Sequence, residues 1–265
     1  MAEPAGLSAC EAFVLISLPQ FNPREALKYG FMGLLAQGVV RSAEENRPGL
    51  IRTRRILHLH VAAEPPADAP AATASLVKVV RAAEPRDGTI GEVLRQAMRE
   101  YGRTLMGFVQ KYVGPALIGR GLAEIRRRRL LGLIPSDAFF RTPAGDAERS
   151  RVQGAMHEAR AIPQYLDRDP AQAAALAVAA GGAILLVEEL RPHYKQLAQA
   201  FQDRDTGSSG PFVDPGTSGG GGDSAGFDFG PIDFGSIDFG SFDSFGAGFD
   251  AASDGGGADG GSSGC

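Results

Sequence analysis

The side chains best equipped for chemistry in this sequence are basic, and they come in groups. Arg52, Arg54 and Arg55 fall in one β-rich run, Arg126, Arg127, Arg128 and Arg129 are consecutive, and Lys28 and Lys111 lie on predicted helices. A guanidinium offers a rigid fork of donors that matches phosphate in bidentate fashion, and a cluster of them at a hairpin reaches a flat polyanion without burying its charge. Anion binding at a surface is the chemistry this pattern predicts. Leu130, Leu131, Leu133 and Ile134 directly follow the arginine run. Aliphatic groups beside basic ones suit an interface that dips into lipid or meets another subunit better than one that reads a DNA groove.

Motifs for covalent, metal or nucleotide chemistry are missing from residues 1–205. The sequence there has no Gly-x-x-x-x-Gly-Lys loop, His-Glu-x-x-His pair, Cys-x-x-Cys pair or Gly-x-Ser-x-Gly elbow, so a non-enzymatic protein without cofactor, metal or small-molecule substrate is expected. His58 and His60 alternate on a predicted strand and share a face, but no third ligand lies nearby, and they read as strand surface. The pairs Asp167/Asp169, Glu188/Glu189 and Asp203/Asp205 read as helix caps and solvated faces. Cys10, beside Phe13 and Val14, reads as a buried structural thiol. Cys265 is the only other cysteine, which gives no framework of bridges and makes the reducing cytoplasm the expected compartment.

The elements that must position these groups occupy only part of the chain. Its 265 residues are 43% hydrophobic and 22% charged, enough for one domain's core. Residues 1–205 carry 27 basic against 22 acidic groups, whereas residues 206–265 carry 9 acidic groups, no Lys or Arg, 19 of the 36 glycines and 8 of the 15 phenylalanines. Within residues 227–245 the units Phe-Asp-Phe-Gly, Ile-Asp-Phe-Gly (twice) and Phe-Asp-Ser-Phe-Gly form a degenerate repeat. Few aliphatic groups and one sign of charge cannot offset the entropy of ordering the chain, so a disordered tail is expected from residue 206.

Residues 1–205 are expected to form a compact, mainly α-helical domain with small β-hairpins in winged-helix-like units. Residues 7–18 predict a short helix closed by Pro19. Asn22, Pro23 and Glu25 open a second, whose face carries Leu27, Phe31, Leu34 and Leu35 up to Gly38. Residues 39–41 and 50–61 predict strands around a turn at 43–49, and the proline-rich stretch 64–72 a connector. Leu76, Val79, Val80 and Ala83 mark another helix, and Thr89 with Glu92 a capping box for one ending at Gly102. A long helix is expected over 104–120, bent at Gly114-Pro115. Strands follow at 122–125 and 130–134, with the four arginines at or near the tip between them. Helices are then expected over 146–160 and, starting at Asp169-Pro170, with a break, to about residue 201. Glu3 and Glu11 bracket the beginning of the sequence and the apolar run 12–18 is short, unlike a secretory leader. The Ala-rich run 171–187, interrupted by Gly181-Gly182, falls short of the ~20 strongly apolar residues of a membrane span and reads as a buried helix.

The order of these elements resembles the Golgi phosphoprotein 3 family and its bacterial relatives. The stretches that carry the resemblance are ALKYGFMGLLAQGVV (26–40), residues 50–59 with their proline-rich exit, residues 104–122 ending in Gly-Leu, and LLGLIPSDAFF (130–140), over about residues 7–191. The resemblance implies a non-enzymatic helical protein that binds phosphatidylinositol 4-phosphate through a tryptophan and arginines, with an apolar hairpin used in association and membrane contact. This chain has no Trp. The family's arginine positions fall near Leu27, with Lys28 alongside, and near Gly107 and Gln110, with Lys111 alongside; residues 126–134 take the hairpin's place.

The sequence is compatible with three functions. The first is a peripheral adaptor on an anionic membrane surface, at the inner face of the membrane. The second is a protein adaptor acting through the acidic tail, with association to a second copy also open. The third is a tandem winged-helix DNA regulator, which residues 104–120 favour less, since they offer only Lys111 and Arg120 besides Gln110.

Overall fold

The computed structural model describes residues 6–47, 54–130, 134–194 and 196–197. Two helices with side-chain-built first turns open it. At α1 (Ala9–Ser17) Ser8 donates from its main-chain N and its hydroxyl to Glu11 Oε2, at 2.9 and 2.8 Å. At α2 (Pro23–Ala36) Asn22 Oδ1 accepts from the Arg24 N–H at 3.0 Å, and Pro23 fills the first turn, where a missing donor costs nothing. The expected face of α2 is buried: Leu27, Phe31, Leu34 and Leu35 pack toward α1 and the core.

Strands β1 (Val40–Arg47) and β2 (Arg54–Val61) form an antiparallel ribbon. Then come α3 (Ala71–Ala83) and α4 (Ile90–Tyr101), which pack on each other. At the start of α4 the Thr89 hydroxyl accepts from the Glu92 N–H at 3.3 Å, while the buried Glu92 carboxylate turns to Arg95 at 2.7 Å and Arg86 at 3.4 Å. A second ribbon, β3 (Ala123–Leu130) with β4 (Ile134–Arg141), precedes α7 (Pro143–Ala159), α8 (Ile162–Leu166) and α9 (Pro170–Ala180). The fold is mainly helical with two small antiparallel two-stranded sheets, the class the sequence predicts.

Four elements differ from expectation. The first ribbon pairs Arg47 with Arg54, so residues 43–47 are strand rather than turn. The helix expected over 104–120 begins at Met106 and is irregular: α5 (Met106–Phe108) passes through a π-helical turn (Val109–Val113) into α6 (Gly114–Gly119). Pro115 lacks the donor an α-helix requires and its ring crowds the carbonyl four residues back, which accounts for irregularity at this place. The Ala-rich helix ends at Ala180, where Gly181 takes φ +52° and the chain continues as 3-10 segments Gly181–Leu186 and Glu188–His193. The fourth difference is in the second ribbon, where β3 runs to Leu130 and β4 begins at Ile134. The tail lies outside the described residues.

One buried cluster runs from Leu7 to Leu197 and is built almost entirely by helices. Among the described residues the ribbons join it through Val40 and Leu59 in the first and Ala123 in the second, with Leu57, Val61 and Phe139 partly buried against it. A side chain at Gly114 would come within 2.5 Å of the Phe139 ring, so the glycine leaves room for the base of β4 to seat on α6. No helix among the described residues is long and apolar enough to cross a membrane.

Candidate functional site

The second ribbon carries the densest positive charge, and its register decides how that charge is displayed. The pairs Arg126↔Ala138, Arg127↔Asp137, Arg128↔Ser136 and Arg129↔Pro135 place all four arginines inside β3, near the tip; the strands expected at 122–125 and 130–134 are corrected to Ala123–Leu130 and Ile134–Arg141. The strand closes at Leu130↔Ile134, and Leu131 and Leu133 lie outside the described residues. Successive strand residues point to opposite faces. Ile125 and Arg127 therefore belong to one face of the ribbon, and Glu124 and Arg126 to the other. The run reads as a loop by composition, but main-chain pairing with β4 satisfies its backbone and outweighs the hydrophilicity of the side chains.

On the second of these faces Arg126 is held by its own chain. Its Nε and Nη2 donate to Glu124 Oε1 at 2.8 and 2.5 Å, and its guanidinium carbon stands 5.3 Å from the centroid of the Phe140 ring. Both partners of the ion pair are well exposed, at 61 and 44%, and such a pair is worth only ~0–1 kcal/mol. Arg126 thus keeps an exposed head, with Glu124 and Phe140 as its neighbours. On the other face Ile125 is 53% exposed, and Arg127 is exposed beyond it. An exposed branched aliphatic next to exposed guanidiniums is the site's least ordinary feature.

A rigid base orients the ribbon. Arg141, at the end of β4, has a side chain only 15% exposed and bonds Asp146 Oδ1 at 2.7 Å. It also donates to the carbonyls of Leu15 at 3.2 Å, Ile16 at 3.4 Å and Leu18, at the C-terminal end of α1. Thr142 donates from its hydroxyl to Gly121 O at 2.6 Å and accepts from the Gly145 N–H at 3.0 Å, capping α7. Gly145 is required there, since a Cβ would stand 1.9 Å from Leu122 O. The sequence reading did not single out Arg141 or Ile125. The Thr-Pro cap directly after Arg141 marks where β4 meets a helix, but contact with α1 across 126 residues leaves no local signal.

Lys28, Lys111, Arg54 and Arg55 lie on other elements. Lys28 is a correction: it is 5% exposed and ion-paired with Glu25 at 3.3 Å on its own helix, so it is closed off from a headgroup. Lys111 is exposed on the π-helical turn. Arg54 and Arg55 open β2 opposite Arg47 and Asn46, and Arg52 lies outside the described residues.

Other titratable groups are accounted for by local structure. His58 Nδ1 bonds the Asp87 carbonyl oxygen, its Nε2 lies 3.1 Å from Glu45, and His60 is exposed. Among the described residues no three His, Cys, Asp or Glu side chains are grouped to hold a metal. Burial pushes the Cys10 thiol up to about 12, with the Ser8 hydroxyl 3.4 Å away opposing the rise, as suits an inert structural thiol. A cavity of about 120 Å³, lined by Leu7, Ala12, Arg151, Val152, Ala155 and Gly182 among others, contains none of the expected site residues. Compared with known proteins, the chain matches no family model and no curated sequence.

Proposed function

We propose that this protein is a non-enzymatic peripheral adaptor that docks on anionic phospholipid through its second ribbon. The observation that carries the reading is the exposed Ile125 beside Arg126 and Arg127, on a ribbon whose sequence runs on into Leu130, Leu131, Leu133 and Ile134. Charges on both faces of a ribbon are all used only when it enters a layer of anions end-on, and a headgroup layer with acyl chains beneath suits guanidiniums on the flanks and aliphatics at the turn. The resemblance to the Golgi phosphoprotein 3 family points the same way and suggests phosphatidylinositol 4-phosphate as headgroup. Because Lys28 is buried and paired, the ribbon arginines carry the headgroup contacts in this reading, with Lys111 as an exposed second cation. The cytoplasmic face of the membrane is the corresponding location.

Co-sedimentation of the full chain with phosphatidylcholine vesicles, with and without phosphatidylserine or phosphatidylinositol 4-phosphate, tests this. Preferential recovery on the anionic vesicles is expected, weakening with salt. At ~1 kcal/mol per basic side chain near the surface, changing Arg127, Arg128 and Arg129 to Ser is expected to weaken binding ~100-fold. Equal recovery on neutral and anionic vesicles, or no loss in the triple variant, overturns the reading.

A further inference from the structure

The ribbon and the last 60 residues carry opposite charge in one chain. Residues 123–141 hold Arg126, Arg127, Arg128, Arg129 and Arg141 against Glu124 and Asp137, while residues 206–265 hold 9 acidic groups and no Lys or Arg. The structure also shows how the ribbon binds a guanidinium: Arg126 takes a carboxylate, Glu124, along its donor edge and an aromatic ring, Phe140, against its face. The repeat in residues 227–245 sets the same two groups side by side. Asp228, Asp233, Asp238 and Asp243 recur every five residues, and each has a Phe next to it, or in the last unit Phe242 before it and Phe245 two residues after.

We infer that residues 227–245 are an internal ligand of the β3–β4 ribbon, laying Asp carboxylates and Phe rings on its arginines and competing with any external anion for that face. Covalent connection makes the contact cheap. The sequence from Thr206 to Phe227 is mostly Gly, Ser and other small residues, and a Gly/Ser-rich linker of about 20 residues spans ~25 Å on average. Linkers of that length give effective concentrations on the order of millimolar, so a contact of only submillimolar affinity covers the ribbon for most of the time. Cation–π contacts and exposed ion pairs, each weak alone but repeated over four units, supply that affinity. The inference deepens the proposed use of the ribbon as an anion site, but does not require the outside anion to be lipid.

The test uses the full chain. With Cys265→Ser and Ser236→Cys, a thiol-reactive spin label reports from the middle of the repeat, since Cys10 is buried with its thiol pushed up to about 12. Paramagnetic broadening is expected at the amides of Ile125, Arg126 and Arg127. It should vanish when Asp228, Asp233, Asp238 and Asp243 become Asn, and in about 1 M salt, where the screening length is ~3 Å. The four-Asn chain is also expected to bind anionic vesicles ~10-fold more tightly than the parent. Absence of broadening at the ribbon overturns the inference, as does broadening that survives the four Asn changes. So does broadening seen only when spin-labelled and isotope-labelled chains are mixed, which assigns the contact to a second copy. Broadening without any vesicle preference in either chain sinks the lipid reading and leaves the internal ligand standing; vesicle preference without broadening does the reverse.

Discussion

The Arg141 guanidinium donates to the main-chain carbonyl of Leu18, one residue beyond the end of α1. The same side chain reaches the Leu15 and Ile16 carbonyls and the Asp146 carboxylate. One residue thus joins the return strand of the ribbon, the end of the first helix and the first turn of α7. Carbonyls at a helix C-terminus lack intrahelical donors and carry partial negative charge, which a cation held against them satisfies.

Removing that clamp is expected to be expensive. Arg141→Ala should lower folding stability by about 2–3 kcal/mol, the size of a mostly buried charged hydrogen-bonding group. Arg141→Lys should recover less than half, because an ammonium cannot span several carbonyls and a carboxylate as the fork does. Urea midpoints of the three chains decide it, and an alanine variant as stable as the parent would show that the clamp contributes nothing.

Two glycines of α7 should respond in opposite directions. A Cβ at Gly145 meets Leu122 O at 1.9 Å, whereas at Gly154 it meets nothing within 4 Å. Gly145→Ala is expected to cost more than about 2 kcal/mol through forced backbone movement. Gly154→Ala, exposed in mid-helix, should gain about 0.5–1 kcal/mol. Thermal unfolding of both variants checks the pair.

Stability should fall at high pH. Burial raises the Cys10 thiol from 9.0 to about 12 and raises the Tyr101 and Tyr194 hydroxyls above 10.0; the Ser75 hydrogen bond at 2.7 Å opposes the rise at Tyr101. The folded chain holds these protons more tightly than the unfolded chain. Their contribution is therefore complete below the unfolded values and is lost as pH climbs from about 9 toward and past 12. Tyr101→Phe should flatten part of that slope, while costing ~1 kcal/mol at neutral pH through the partner taken from Ser75. Urea titrations at stepped pH measure both effects.

A smaller acid-side effect is expected from α7. Hydrogen bonding to Arg151, at 2.5 and 2.8 Å, holds the Glu148 carboxyl below its ordinary 4.5. A depressed folded value gives stability that is present above the unfolded value and lost as pH falls below about 4.5. Arg151 is well exposed, so Glu148→Gln should cost only ~0.3–0.5 kcal/mol at pH 7. The two stability curves should converge in acid; a constant offset down to low pH would place the effect in packing instead.

The helices were legible because their signals are local. Asn22-Pro23 and Thr89 with Glu92 fix where α2 and α4 begin, and the spacing of Leu27, Phe31, Leu34 and Leu35 fixes which side of α2 is buried. The ribbons were legible only as places. Four consecutive arginines carry no periodicity that separates strand from turn, and the β3–β4 pairing that absorbs them is set by residues up to Arg141 on the other side of the turn. Lys28 shows the same limit: on its helix it reads as a cation, and its burial against Glu25 follows from packing around α2.

By itself the sequence determined the helical class, the number of hairpins, the burial of Cys10 and the division into a basic body and an acidic tail, because composition, caps and 3.6-residue spacing act over a few neighbours. Tertiary structure alone decided that Arg126 and Arg127 lie on opposite faces of the ribbon, that Glu124 and Phe140 hold Arg126, and that Arg141 fastens the ribbon to α1. Those outcomes depend on strand register and on contacts between residues more than a hundred positions apart, whose free energy exists only once the core has brought them together.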